Sequence, residues 1–104
     1  RGMHLQTPAQ GKLIRCLSGS IYDAIVDPRT GEWCAFYLNG DDNCCIWVPK
    51  GYAHGYYVLS DSALVSYAVD VPWNPDGEIV YKFDQFDVQW PFTCSPILSG
   101  KGMV

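Results

Sequence analysis

The chain has 104 residues, a formal net charge of −4, and seven Lys and Arg against eleven Asp and Glu. That length fits one domain, and without a basic run it excludes nucleic-acid binding, which needs clustered cations to neutralise phosphate. No apolar run approaches the roughly 20 residues of a membrane span, whereas four Trp, seven Tyr and four Phe suit an all-β domain or one with a large buried interface.

Taken in order, the chain opens on a strand carrying His4, followed by a Pro8/Gly11 loop over 6–11. Residues 12–17 read as a strand, turned by Ser18-Gly19-Ser20 into a second at 21–27, so the two are expected to pair as a hairpin. A loop through Pro28 and Gly31 leads to a strand at 33–38, and the cluster Asn39-Gly40-Asp41-Asp42-Asn43 to another at 44–48. Pro49-Lys50-Gly51 then makes a turn, because proline presets one dihedral and glycine accepts the left-handed one. Beyond it lie the His54 strand and a strand at 63–69. The loop 71–77 is barred from forming a helix by Pro72 and Pro75, and a last strand is expected over 78–83. The tail from Asp84, with Phe86, Val88 and Trp90 alternating, is expected to pack across the body of the domain. No window carries a helical apolar period. Short strands joined by turns predict an all-β fold, a jelly roll, small sandwich or barrel.

The five cysteines, Cys16, Cys34, Cys44, Cys45 and Cys94, are odd in number, include an adjacent pair and form no CxxC. Zinc and thioredoxin-like readings fail on spacing. With no signal peptide read at the start, free and mostly buried thiols in a reducing cytoplasm are expected. A nucleophilic Cys44 paired with a histidine is the weaker reading, since buried structural cysteine is the commoner use.

The most chemical features are the two histidines, His4 and His54, each at a strand start and each near a cation in the sequence. An imidazole titrates near working pH and suits a general base, although a lone histidine at a strand start is more often a satisfied structural residue. By composition alone Tyr67 is a core tyrosine, and Lys12 and Arg1 are solvated surface charges. Trp33, Trp47, Trp73 and Trp90 read as packing, with Trp73, in the proline loop, a candidate for a pocket mouth.

Read together, Arg1-Gly2-Met3-His4-Leu5-Gln6, Ala9-Gln10-Gly11-Lys12-Leu13-Ile14-Arg15 and Gly19-Ser20-Ile21-Tyr22-Asp23 resemble one family. Trp47-Val48-Pro49-Lys50-Gly51-Tyr52-Ala53-His54-Gly55-Tyr56, Leu59-Ser60-Asp61, Tyr67, Trp90-Pro91 and Pro96-Ile97-Leu98-Ser99-Gly100-Lys101 continue the likeness. The chain is similar, over nearly its whole length, to the dTDP-4-dehydrorhamnose 3,5-epimerases, cupin-type jelly rolls of nucleotide-sugar metabolism. The resemblance implies a single cupin-like domain over 1–104 that lacks the family's N-terminal strands. It also implies a homodimer and a nucleotide-sugar substrate. The implied chemistry removes a proton beside a ketone with His4 as base, Lys12 as the oxyanion contact and Tyr67 as acid. Arg1 and His54 would bind the substrate, a guanidinium suiting its diphosphate. No cofactor and no metal is implied; with His4 and His54 the only histidines, the two-histidine spacing of metal-binding cupins is absent.

The sequence departs from the family in three places. Gly102 stands where the family carries the aspartate that orients its catalytic histidine, and Asp23 or Asp84 are the candidate stand-ins. The chain begins on the Arg-Gly-x-His motif itself. Ala68 and Lys82-Phe83-Asp84 differ from the family's local pattern near the acid and ahead of the Trp-Pro motif. Two functions follow: a cofactor-free epimerase acting on a 4-keto-6-deoxy sugar nucleotide, or a catalytically degenerate cupin that binds a sugar or serves as an assembly module.

Overall fold

The structure is a computed structural model describing residues 2–92; Arg1, Cys94, Lys101 and Gly102 lie outside the described residues. The strands are β1 (Met3–Gln6), β2 (Lys12–Ser18), β3 (Ser20–Val26), β4 (Trp33–Asn39), β5 (Ile46–Val48), β6 (Ala53–Val58), β7 (Leu64–Val69) and β8 (Glu78–Tyr81), with one 3₁₀ turn at Pro75–Gly77. They form two antiparallel sheets of a cupin-type jelly roll, one ordered β4-β3-β6-β1-β8 and the other β5-β2-β7. The all-β expectation is met. No helix among the described residues is long and apolar enough to cross a membrane.

The hairpin expected between β2 and β3 does not form. β2 pairs with β5 and β7, while β3 pairs with β4 and β6. Burial decides this: Ile14 and Cys16 of β2 and Ile21 and Ile25 of β3 belong to one buried cluster with Leu38 and Val48, so the two strands face each other across the core. Gly19, at φ +76° and without space for a Cβ beside the Ser62 carbonyl, carries the chain from one sheet to the other. The strand read at 44–48 is shorter than expected, covering only Ile46–Val48.

All but the first residue of β3 are buried, because apolar clusters cover this strand on both faces. A second cluster of Met3, Ala24, Val26, Ala53 and Val88 lies on its outer side, with Phe86 and Trp90 packed against it. The tail is fastened there by polar contacts as well. The Tyr22 hydroxyl donates to the Gln89 carbonyl at 2.6 Å, and the Trp90 indole donates to the Phe83 carbonyl at 3.0 Å. The expected packing of the tail across the domain is therefore seen as far as Phe92.

The thiol expectation needs correcting. Cys16 is buried, but Cys34, Cys44 and Cys45 are exposed. Cys34 sits on β4, an edge strand, and the other two lie in the irregular turn before β5.

The buried Gln6 is what ties the 70–77 loop to the sheet. Its amide donates to the carbonyls of Pro8 and Pro72, both at 3.1 Å, and its oxygen accepts the Asn74 N–H at 3.0 Å. Thr7 N–H donates to the Gly77 carbonyl at 2.9 Å, which closes the loop against the end of β1. The segment leading into β8 is thereby fixed before its first side chain, Glu78.

Gly55 lies on β6, between β1 and β3. A Cβ there would stand 2.8 Å from the Gly2 carbonyl oxygen and 2.8 Å from Met3 Sδ. Gly55→Ala is predicted to destabilise the fold by about 1–3 kcal/mol, the usual cost of overpacking. A lower urea midpoint at an unchanged m-value would show it; an unchanged midpoint would mean that β1 yields freely.

Candidate active site

The polar residues of interest stand on the inner face of the larger sheet, where alternation would otherwise place apolar side chains. His4 and His54 are direct cross-strand partners between β1 and β6, so their side chains share a face. Asp23 opposes Tyr56, two residues beyond His54, and Glu78 opposes Gln6, two residues beyond His4. Each carboxylate is thus diagonal to one histidine. The facing sheet supplies Tyr67, which opposes the buried Ile14, and Lys12, which opposes Val69. The Tyr67 and His54 rings meet edge to face, with centroids 6.1 Å apart.

Each histidine is held by its diagonal carboxylate. His54 Nε2 lies 2.6 Å from Asp23 Oδ1, with side-chain exposures of 3% and 0%. His4 Nδ1 lies 2.9 Å from Glu78 Oε1, in a more open setting of 22% and 14%. Asp23 Oδ2 is buried and has no hydrogen-bond partner among the described residues. Burial holds the Lys12 ammonium below the usual lysine pKa, while the carboxylates of Glu78 and Asp23 pull it back up. Lys12 consequently stands in the field of both.

Of the residues singled out from the sequence, His4, His54, Lys12 and Tyr67 converge here from β1, β6, β2 and β7. Arg1, the expected diphosphate ligand, lies outside the described residues, as does Gly102. Asp23, considered as a stand-in partner for His4, is bonded to His54 instead. Glu78 on His4 was missed altogether, because the two are separated by 74 positions and only the β1–β8 pairing joins them. Asp23 did leave a signal: a lone carboxylate in Ile21-Tyr22-Asp23-Ala24-Ile25-Val26 must be paired if both faces of that strand are buried. Trp73 is exposed, on the loop that Gln6 and Asn74 fasten. No group of three His, Cys, Asp or Glu side chains gathers as a metal set among the described residues.

Asp23→Ala would strand His54 in a dry site. Breaking a buried pair by removing one partner costs about 3–5 kcal/mol, and a loss of that order is predicted in urea unfolding. A change below about 1 kcal/mol would mean that water reaches His54 and replaces the carboxylate.

The chain is similar to known proteins over nearly its whole length. A family model described as dTDP-4-dehydrorhamnose 3,5-epimerase matches residues 1–103. The chain is 37% identical to the dTDP-4-dehydrorhamnose 3,5-epimerase of Escherichia coli, covering 97% of this chain and 60% of that protein. It is 36% identical to the Salmonella typhimurium enzyme of the same name, with the same two coverages. Among solved structures it superposes on a dTDP-6-deoxy-D-glucose-3,5-epimerase from Legionella pneumophila in complex with dTDP-4-keto-L-rhamnose. That match has a TM-score of 0.93 and 35% identity, over 99% of this chain and 59% of the other. A Bacillus anthracis dTDP-4-dehydrorhamnose 3,5-epimerase with TDP and pyrophosphate bound gives 0.91 and 37%, over 100% and 64%. The chain thus spans about three-fifths of the length of these relatives.

Proposed function

The chain belongs to the dTDP-4-dehydrorhamnose 3,5-epimerase family, and from that premise we propose that it epimerises a 4-keto-6-deoxy sugar nucleotide without a cofactor. The observation that carries this reading is the convergence of an imidazole, an ammonium and a phenol from two facing sheets around His54. Epimerisation beside a ketone needs a base for the α-proton, a stabiliser for the enolate oxygen, and an acid on the opposite face. His4 serves as the base. The C–H electron pair moves into the enolate, whose oxygen is stabilised by the Lys12 ammonium. Tyr67, on the facing sheet, returns a proton to the carbon. Arg1 and His54 bind the substrate, and the relatives' complexes with dTDP-4-keto-L-rhamnose and TDP support a thymidine diphosphate sugar as that ligand.

A second reading, a binding module without turnover, rests on Gly102, which brings no carboxylate of its own. One experiment divides the two: incubation with dTDP-4-keto-6-deoxyglucose in D₂O followed by mass spectrometry, beside His4→Ala. Deuterium uptake is expected in the wild type, with a loss of about 10²- to 10⁴-fold in the variant, the usual worth of a general base. Binding of the sugar nucleotide without uptake would replace the epimerase with the binding module.

The lowered Lys12 pKa fixes the sign of one pH effect. The ammonium stabilises an oxyanion only while protonated, and burial makes it lose its proton below the usual lysine range. Exchange is therefore predicted to fall on the alkaline side before that range is reached. Lys12→Arg, which stays charged, should carry the fall to higher pH. An alkaline limb that does not move in this variant would assign it to another group.

A further inference from the structure

We propose that Glu78 is the positioning carboxylate of the His4 base, holding the proton on Nδ1 so that Nε2 is the nitrogen that takes the substrate's α-proton. This rests on the reading of His4 as base and adds a residue to it.

The geometry is specific. His4 Nδ1 and Glu78 Oε1 are 2.9 Å apart, and both side chains are mostly shielded from water. A neutral imidazole has one donor and one acceptor nitrogen, while an ionised carboxylate only accepts. The Nδ1 contact with Glu78 therefore selects the tautomer with hydrogen on Nδ1 and the lone pair on Nε2. As the α-proton passes to Nε2, the Nε2 lone pair forms the new N–H bond and the electron pair of the broken C–H bond passes into the enolate. Glu78 stays ionised throughout and stabilises the imidazolium, as the buried carboxylate does in a Ser-His-Asp triad.

Its backbone is suited to holding a carboxylate still. Glu78 follows the 3₁₀ turn at once, and its N–H donates to the Pro75 carbonyl. The preceding Gly77 carbonyl accepts from Thr7 N–H at 2.9 Å, and Gly77 N–H donates to the Asn74 carbonyl at 3.1 Å. A Cβ at Gly77 would collide with the Thr7 carbonyl, so the turn lies directly on the end of β1, the strand that carries His4. Base and carboxylate are thus built on two strands locked together immediately beside both residues. Glu78 also acts on the Lys12 charge, which puts one carboxylate in contact with the base and in the field of the oxyanion contact.

The test reads the imidazole and the reaction separately. The ¹⁵N-labelled chain has only two histidines, and loss of one set of ring signals in His4→Ala identifies His4 in long-range ¹H–¹⁵N spectra. The neutral wild-type His4 is expected as the Nδ1–H tautomer, and Glu78→Ala should move it to the Nε2–H-rich mixture of free imidazole. Deuterium exchange into substrate should fall by roughly 10²-fold or more in the same variant, mostly in kcat, with KM changing less than about threefold. Glu78→Gln, nearly isosteric, guards against misfolding: it loses the charge and should slow exchange by at least about tenfold while its amide spectrum stays native. A His4 tautomer unchanged in Glu78→Ala, or wild-type exchange in a folded Glu78→Gln, overturns the inference. A Glu78-dependent tautomer in a wild type that exchanges no deuterium would sustain the His4–Glu78 assignment and sink the epimerase reading instead.

Discussion

A carboxylate and an imidazole with almost no access to water, Asp23 and His54, meet between the central strands of the larger sheet. Neither group is tolerable there alone, since an unpaired buried charge or polar ring costs several kcal/mol. Their pairing depends on register. Slipping β3 by one residue would turn Asp23 to the opposite face, into the apolar cluster of Met3, Val26 and Val88. The pair therefore penalises every misalignment of β3 against β6. It does so at the place from which β6 aligns β1, and β1 aligns β8.

From that alignment the rest of the site follows by geometry. His4 lies opposite His54, and Glu78 comes within reach of His4 only because β8 pairs with β1 at the observed offset. The smaller sheet is held over these residues by the Ile14, Cys16, Ile21, Ile25, Leu38 and Val48 cluster, which brings the Tyr67 ring against His54. Hydrophobic burial sets the spacing between the sheets, and the polar residues share the inner face with that apolar cluster. The two histidines are accordingly unlike. The His54 side chain is almost enclosed, whereas that of His4 keeps partial access to water.

The central strands of the larger sheet are covered on their outer side by the tail. Phe86, Val88 and Trp90 lie over the outer side, and Tyr22 is pinned there by Gln89 and by the edge of the Trp90 ring. That outer layer backs β1 through Met3 and Leu5, so the strand carrying His4 is supported from behind. Lys12 shows the other side of the same economy. It sits far enough inside to lose hydration, yet two carboxylates offset part of that loss.

Much of this was legible without coordinates. Turn residues at Ser18-Gly19-Ser20, Pro49-Lys50-Gly51 and the Pro72/Pro75 loop marked the strand limits, because dihedral restrictions act locally. The ordered motifs around His4, Lys12, His54 and Tyr67 identified the family, because they recur in a pattern that a chance sequence would not reproduce. Pairing was a different matter. β2 and β3 look like a hairpin in the sequence and belong to opposite sheets, since burial of Ile14 against Ile21 outweighs proximity along the chain. Asp23 could be recognised as a carboxylate in need of a partner, but not as the partner of His54, and Glu78 gave no sign of meeting His4. Local preferences and motif identity are properties of neighbouring residues; which carboxylate holds which histidine depends on strand order and register, and those are decided only when the whole chain packs.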